Sequence, residues 1–288
     1  MRVSPGKSAL AFKTDIAHSP ATAGSPAPIR VGLPNWLILI LLLALPTIAS
    51  ATLRFEEGVA RNPDSNTVLY REQHWLRSVG DQPVERLVLY LCPDGRAFGR
   101  KQVDYRRSSS APAFRFDDSR SGYVEGLRNA SGPEVFFRPG VGAVEKSAVL
   151  SPKQLVADAG FDEFIRGQWP ALLAGEAVPL DFALPARQAS MDFTVRRVGD
   201  ARIAGEPAWI FRLRLGGVLG WVAPHIDVAY GQQSRRLLRF EGVSNVRDDS
   251  GRKQLIARID FPQPSRPVED GEWQTAMNIR LLACAVGH

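Results

Sequence analysis

Arg86-Leu87-Val88-Leu89-Tyr90-Leu91, then Pro93-Asp94-Gly95, then Ala97 to Tyr105, is the stretch that decides the fold class. Its first six residues are apolar on both alternating faces after Arg86, the pattern of a strand buried on two sides. Pro-Asp-Gly supplies turn chemistry: Pro fixes φ, Asp bonds its own backbone and Gly tolerates positive φ. The returning segment completes a β-hairpin with Cys92 at its turn.

Working outward, strand signals dominate. Thr67 to Leu76 is predicted as the first strand, with Val68, Tyr70 and Leu76 on one face. Pro112 to Phe116, Gly122 to Arg128 and Glu134 to Phe137 are shorter, separated by Ser, Gly, Asn and Pro. Val178 to Leu184, Met191 to Val198, His225 to Tyr230, Arg235 to Glu241 and Leu255 to Phe261 follow the middle of the chain. Trp209, Phe211, Leu213 and Leu215 alternate with Ile210, Arg212 and Arg214, which reads as a half-solvated sheet face.

One interruption is helical. Ser151-Pro152-Lys153-Gln154 has the capping-box arrangement. Phe161, Phe164, Ile165, Trp169, Leu172 and Leu173 fall at helical spacing, with Pro170 placed to divide the helix and Gly175 to end it. The expectation is a helical segment over 151–175. Short turns between strands imply an antiparallel meander. The predicted fold is mainly β: a long curved antiparallel half-barrel over 52–262, with the helical segment covering its apolar face. Pro262-Gln263-Pro264-Ser265-Arg266-Pro267 reads as a linker, leaving 263–288 as a C-terminal tail.

Residues 1–33, rich in Ser, Ala, Pro and Gly, read as a disordered n-region. Trp36 to Leu45 is a run of ten apolar residues, followed by Pro46 and Ala49-Ser50-Ala51. That run is short of the roughly 20 residues a spanning helix needs. A small-x-small site follows it, so 34–51 reads as an export signal with Thr52 as the first mature residue. An uncleaved inner-membrane anchor facing the periplasm and a buried core helix are the competing readings. Membrane contact is expected only through this segment, and only if it is retained. Two cysteines lie beyond it, Cys92 and Cys284, and an oxidising compartment permits a bridge between them; the opposing reading is that they never meet.

Composition narrows function by exclusion. The chain of 288 residues is 44% hydrophobic and 23% charged, which is ordinary for a globular protein. Half of the net charge of +6 precedes Thr52, in Arg2, Lys7, Lys13 and Arg30 against Asp15. The remainder is dispersed, without the basic stripe and motif that nucleic-acid binding needs. His74 and His225 each stand alone, and no clustered metal ligands, nucleophile elbow, P-loop or dinucleotide fingerprint occurs. His225-Ile226-Asp227 could orient a base or could be same-face strand neighbours. Asp117-Asp118 and Asp248-Asp249 sit at turns, where Asp caps its own backbone. No enzyme, cofactor, metal or nucleic acid is therefore expected.

The aromatic set is the candidate site. Phe161, Phe164, Ile165 and Trp169 on the helix face Trp209, Phe211 and Trp221 on or beside strands. They either form a filled core or line a cavity for a lipid or other hydrophobic small molecule.

Ala159-Gly160-Phe161-Asp162-Glu163-Phe164-Ile165-Arg166 and the Pro179 to Arg187 strand resemble the half-barrel fold of Lol-type periplasmic lipoprotein carriers and related envelope families. Gly205-Glu206-Pro207-Ala208-Trp209 into Phe211, and Arg236 to Gly242, extend the resemblance over about residues 53–262. It implies an envelope protein of a Gram-negative bacterium that handles or senses hydrophobic molecules, not lipoprotein transport in particular. Two functions stay open: a non-catalytic binder of a hydrophobic ligand, and a structural or interaction module with a filled core. The sequence leaves ligand identity and oligomeric state open.

Overall fold

A computed structural model describes residues 51–217 and 225–286. The export segment and Trp221 lie outside the described residues, apart from Ala51. The first half is a run of strands: β1 (Ala51–Arg61), β2 (Val68–Val79), β3 (Gln82–Leu91), β4 (Ala97–Asp104), β5 (Ala113–Asp118), β6 (Tyr123–Arg128), β7 (Glu134–Arg138) and β8 (Lys146–Val149). Then come β9 (Leu155–Val156) and the helices α1 (Gly160–Gly167) and α2 (Trp169–Leu173). The second run is β10 (Val178–Leu184), β11 (Ala189–Ile203), β12 (Glu206–Leu215), β13 (Ile226–Gly231), β14 (Leu237–Arg247) and β15 (Gln254–Asp260). A short β16 (Arg266–Pro267) and α3 (Asp270–Asn278) end the described chain.

All the strands belong to one sheet. The described chain enters the sheet in its middle: β1 to β8 step outward as an antiparallel meander, and β9 to β15 step back until β15 pairs with β1. The two ends of the strand order, β8 and β9, are thus neighbours in sequence but not in the ladder. The sheet is curved and unclosed, as expected for a half-barrel. Its ends are bridged by side chains instead: Gln188, after β10, donates from Nε2 to the Ser147 carbonyl of β8 at 3.0 Å.

Three expectations are corrected. The first strand is β1, ahead of Thr67, and its Glu56, Gly58 and Ala60 face His74, Glu72 and Tyr70 of β2. The helical segment begins at Gly160 rather than Ser151. The Asp181 carboxylate accepts the backbone N–H groups of Lys153 (2.8 Å) and Gln154 (3.0 Å), so donors that a capping box would use are already taken. Leu155 and Val156 then pair in parallel with Asp181 and Phe182 of β10. The first residue of α1 must be glycine, because a Cβ at position 160 would stand 2.1 Å from the Ser110 carbonyl oxygen. Pro170 falls in the first turn of α2, where a missing N–H costs nothing, and the division comes at Gln168.

The third correction concerns 263–288, which packs on the sheet instead of trailing from it. Pro267 pairs with Arg54 at the sheet edge, where proline is tolerated, and Val268 N–H bonds the Leu53 carbonyl at 3.0 Å. Trp273 and Ala276 of α3 cover Leu53, Trp75, Leu87 and Leu89. That is why β3 is apolar on both faces: Val88 and Tyr90 look to the inner core, Leu87 and Leu89 to α3. Cys284 reaches the β3–β4 turn and is disulfide-bonded to Cys92, with Cα atoms 6.3 Å apart.

Candidate functional site

Period two aims Phe211 and Leu213 of β12, and Val228 and Tyr230 of β13, at the same inner face. Helical period places Phe161, Phe164, Ile165 and Trp169 against them in one buried cluster with Leu172 and Leu180. Ile165, Leu172 and Phe211 have no exposed surface. The rings interlock: Trp169 lies 5.4 Å from Phe211 and 6.3 Å from Tyr230, and Phe161 lies 6.2 Å from Phe182. Trp209 sits half-buried at the rim with the Arg197 guanidinium 3.6 Å above its ring. The structure therefore brings together six of the seven aromatic-set residues, and the seventh, Trp221, is outside the described residues.

Between the helix and the other half of the sheet the contacts are ionic. Asp162 is the centre. One carboxylate oxygen takes Arg86 Nη1 of β3 at 3.3 Å, and the other accepts the Tyr230 hydroxyl of β13 at 2.6 Å. One helical side chain thus ties together the two runs of the sheet. Lys101 of β4 holds both oxygens of Asp158, at 2.9 and 2.8 Å, just before α1. His74 Nε2 lies 2.8 Å from Glu72, and the Tyr123 hydroxyl donates to Glu125 at 2.6 Å. All of Glu72, His74, Arg86, Lys101, Glu125 and Asp162 are buried.

Burial governs the titration of these groups. It pushes the hydroxyls of Tyr70, Tyr90 and Tyr230 well above the usual phenol range. It raises Glu125, with the Tyr123 hydrogen bond opposing it. For Asp162 burial also works upward, but Arg166 and Arg86 outweigh it and hold the carboxyl below its ordinary value. These directions have opposite consequences. Asp162 contributes stability at neutral pH that is lost only as pH falls through its depressed pKa. Glu125 contributes stability that is complete below its ordinary pKa, 4.5, and is lost as pH rises through its elevated one. Glu125→Gln should therefore be more stable than the parent at pH 8 and should show a flatter stability–pH profile above pH 4.5. Urea denaturation at pH 5 and pH 8 measures this; equal pH dependence in the two proteins would remove Glu125 from the account.

Chemically, the network suits cross-bracing. The carboxylates and cations neutralise one another inside the body, and no group of three metal-ligating side chains forms among the described residues. His225 does approach Asp227, at 3.7 Å, but Asp227 already makes two hydrogen bonds to Arg212. Asp117 and Asp118 are engaged by Arg115 and Arg120, and Asp248 by Ser250. Two cavities, of about 490 and 250 Å³, open on the surface, and none of the six described residues of the predicted aromatic set lines either.

No protein-family model and no curated protein matches this sequence. Solved structures with a similar course of chain include a beta-barrel-like protein of Domain of Unknown Function DUF1849 from Brucella abortus. It shares 7% identity over 76% of this chain and 96% of its own, with a TM-score of 0.34. MucB shares 13% identity over 83% of this chain and 60% of its own, at a TM-score of 0.25. An outer membrane lipoprotein-sorting protein domain from Vibrio parahaemolyticus shares 9% over 80% and 92%, at 0.23.

Proposed function

We propose that the chain is an exported, non-catalytic envelope protein acting as an interaction module with a filled interior, which meets its partners on outer surfaces. The observation that carries this reading is Asp162. It is bonded to both runs of the sheet while the stripe beside it, Ile165 and Trp169, is buried among strand side chains. A helix so fastened is a structural wedge. Export is supported by the apolar run Trp36 to Leu45 with Ala49-Ser50-Ala51, and by a disulfide between cysteines 192 residues apart, which needs an oxidising compartment to persist.

A second reading has its own observation. Phe182, Phe193 and Trp209 are only partly buried at the rim of the helix cluster, and a lipid or other hydrophobic small molecule could add to them there. One experiment separates the two. A filled module should show the same urea midpoint with and without lipid extracted from the native envelope, and unchanged tryptophan fluorescence. A ligand at 100 times its Kd would add about 2.7 kcal/mol of stability. Such a gain, with a fluorescence change lost in Trp209→Phe, would replace the first reading by the second.

A further inference from the structure

On the outer face of the sheet, opposite Val195, Phe211 and Leu213, β11 and β12 present Thr194, Arg196, Arg212 and Arg214. The register sets Arg196 directly across from Arg212, and Thr194 directly across from Arg214. Like charges in that relation destabilise an antiparallel pair. Arg212 is compensated: Asp227 of β13 accepts from its Nε at 2.7 Å and its Nη2 at 2.6 Å. Arg196 and Arg214 have no ion-pair partner among the described residues. The nearest acid along β11, Asp192, stands directly across from Asp181 of β10 and forms no ion pair with either arginine among the described residues. Further along the same sheet the pattern differs, since Arg239 and Arg258 share Asp260. Arg196 and Arg214, with Arg212, line the surface hollow of about 250 Å³, walled also by Ala177 and Leu215.

We propose that this hollow is an anion site for a phosphate-type oxyanion, free or carried on a lipid headgroup. Arg196 and Arg214 supply planar forks that match such an oxyanion, and the Thr194 hydroxyl adds a donor between the strands. Arg212, held by Asp227, fixes the floor. An anion placed there neutralises Arg196 and Arg214, the arginines of this face that have no ion-pair partner among the described residues. The site lies on the opposite face from α1 and stands whether or not the interior takes a ligand.

The test uses the full folded protein in low salt. Inorganic phosphate is titrated calorimetrically, and co-sedimentation is measured with phosphatidylcholine vesicles with and without phosphatidylglycerol. Arg196→Ala/Arg214→Ala should weaken binding by about tenfold or more, the scale of one lost charge-assisted contact. Arg71→Ala/Arg280→Ala removes the same charge from exposed positions elsewhere and should change little. Saturable phosphate binding abolished in the hollow variant supports a free anion; binding only to phosphatidylglycerol vesicles, abolished likewise, supports a headgroup. No saturable binding in either arm, or equal loss in both double variants, overturns the proposal.

Discussion

Asp162→Ala should cost about 3–5 kcal/mol, the usual penalty for stripping one partner from a buried ion pair. The carboxylate is a buried group joined to Arg86 on β3 and Tyr230 on β13. Removing it leaves the Arg86 guanidinium charged in the interior, because the intrinsic basicity of a guanidinium keeps it protonated even where it is buried. It also orphans the Tyr230 hydroxyl. Asp162→Asn keeps an acceptor for Tyr230 and should cost less. The sharper comparison is Arg86→Met/Asp162→Leu. Replacing both partners by apolar side chains removes the uncompensated charge, so the double variant should regain most of the loss. Urea denaturation of the parent, Arg86→Met, Asp162→Leu and the double variant gives the coupling directly. A cost below about 1 kcal/mol for Asp162→Ala would mean that Arg86 is solvated without it. The helix would then be held by its apolar face alone.

Asp162 also marks where sequence reasoning stopped short. The helical stripe was legible because Phe161, Phe164, Ile165 and Trp169 recur at a helical period and no other period fits them. The same arithmetic puts Asp162 on that stripe, three residues before Ile165 and seven before Trp169. A lone carboxylate on an apolar stripe has no partner in the local sequence, and only the fold supplies Arg86 to compensate it. Lys101 and Glu125 were hidden for the same reason: in a period-two strand a charged residue reads as outward, yet these lie on the face of Tyr90, Phe116 and Phe137. The half-barrel itself was readable from short turns between alternating strands. The start of the helix was not, because the competitor for its capping donors is Asp181, far along the chain. The C-terminal packing was foreshadowed by β3, whose two apolar faces demanded two covers while the inner core provides one. Three prolines between 262 and 267 obscured the second cover, since proline reads as linker wherever the sheet edge is not known.

Removing the Cys92–Cys284 bridge should be the largest covalent perturbation available. The cross-link spans 192 residues of sequence. The chain-entropy relation gives a contribution of about 5 kcal/mol for a loop of that length. Two effects combine here. One is global, since β4 to β16 and all three helices lie inside the loop and lose conformational freedom in the unfolded chain, while β1 to β3 precede it. The other is local. The bridge fastens the segment carrying β16 and α3 to the β3–β4 turn, where Leu282 N–H bonds the Ala97 carbonyl at 2.8 Å and Val286 enters the inner cluster. Cys92 is fully buried, so alanine is the substitution that avoids burying a new hydroxyl. Cys92→Ala/Cys284→Ala should lower global stability by several kcal/mol. Amide exchange should also accelerate first in α3 and in the outer face of β3 that it covers, before the rest of the sheet. Loss of stability with uniform exchange would assign the whole effect to the unfolded chain. Faster exchange confined to α3, with an unchanged unfolding midpoint, would show that the bridge only pins the cover of Leu87 and Leu89, and the sheet would then stand without it.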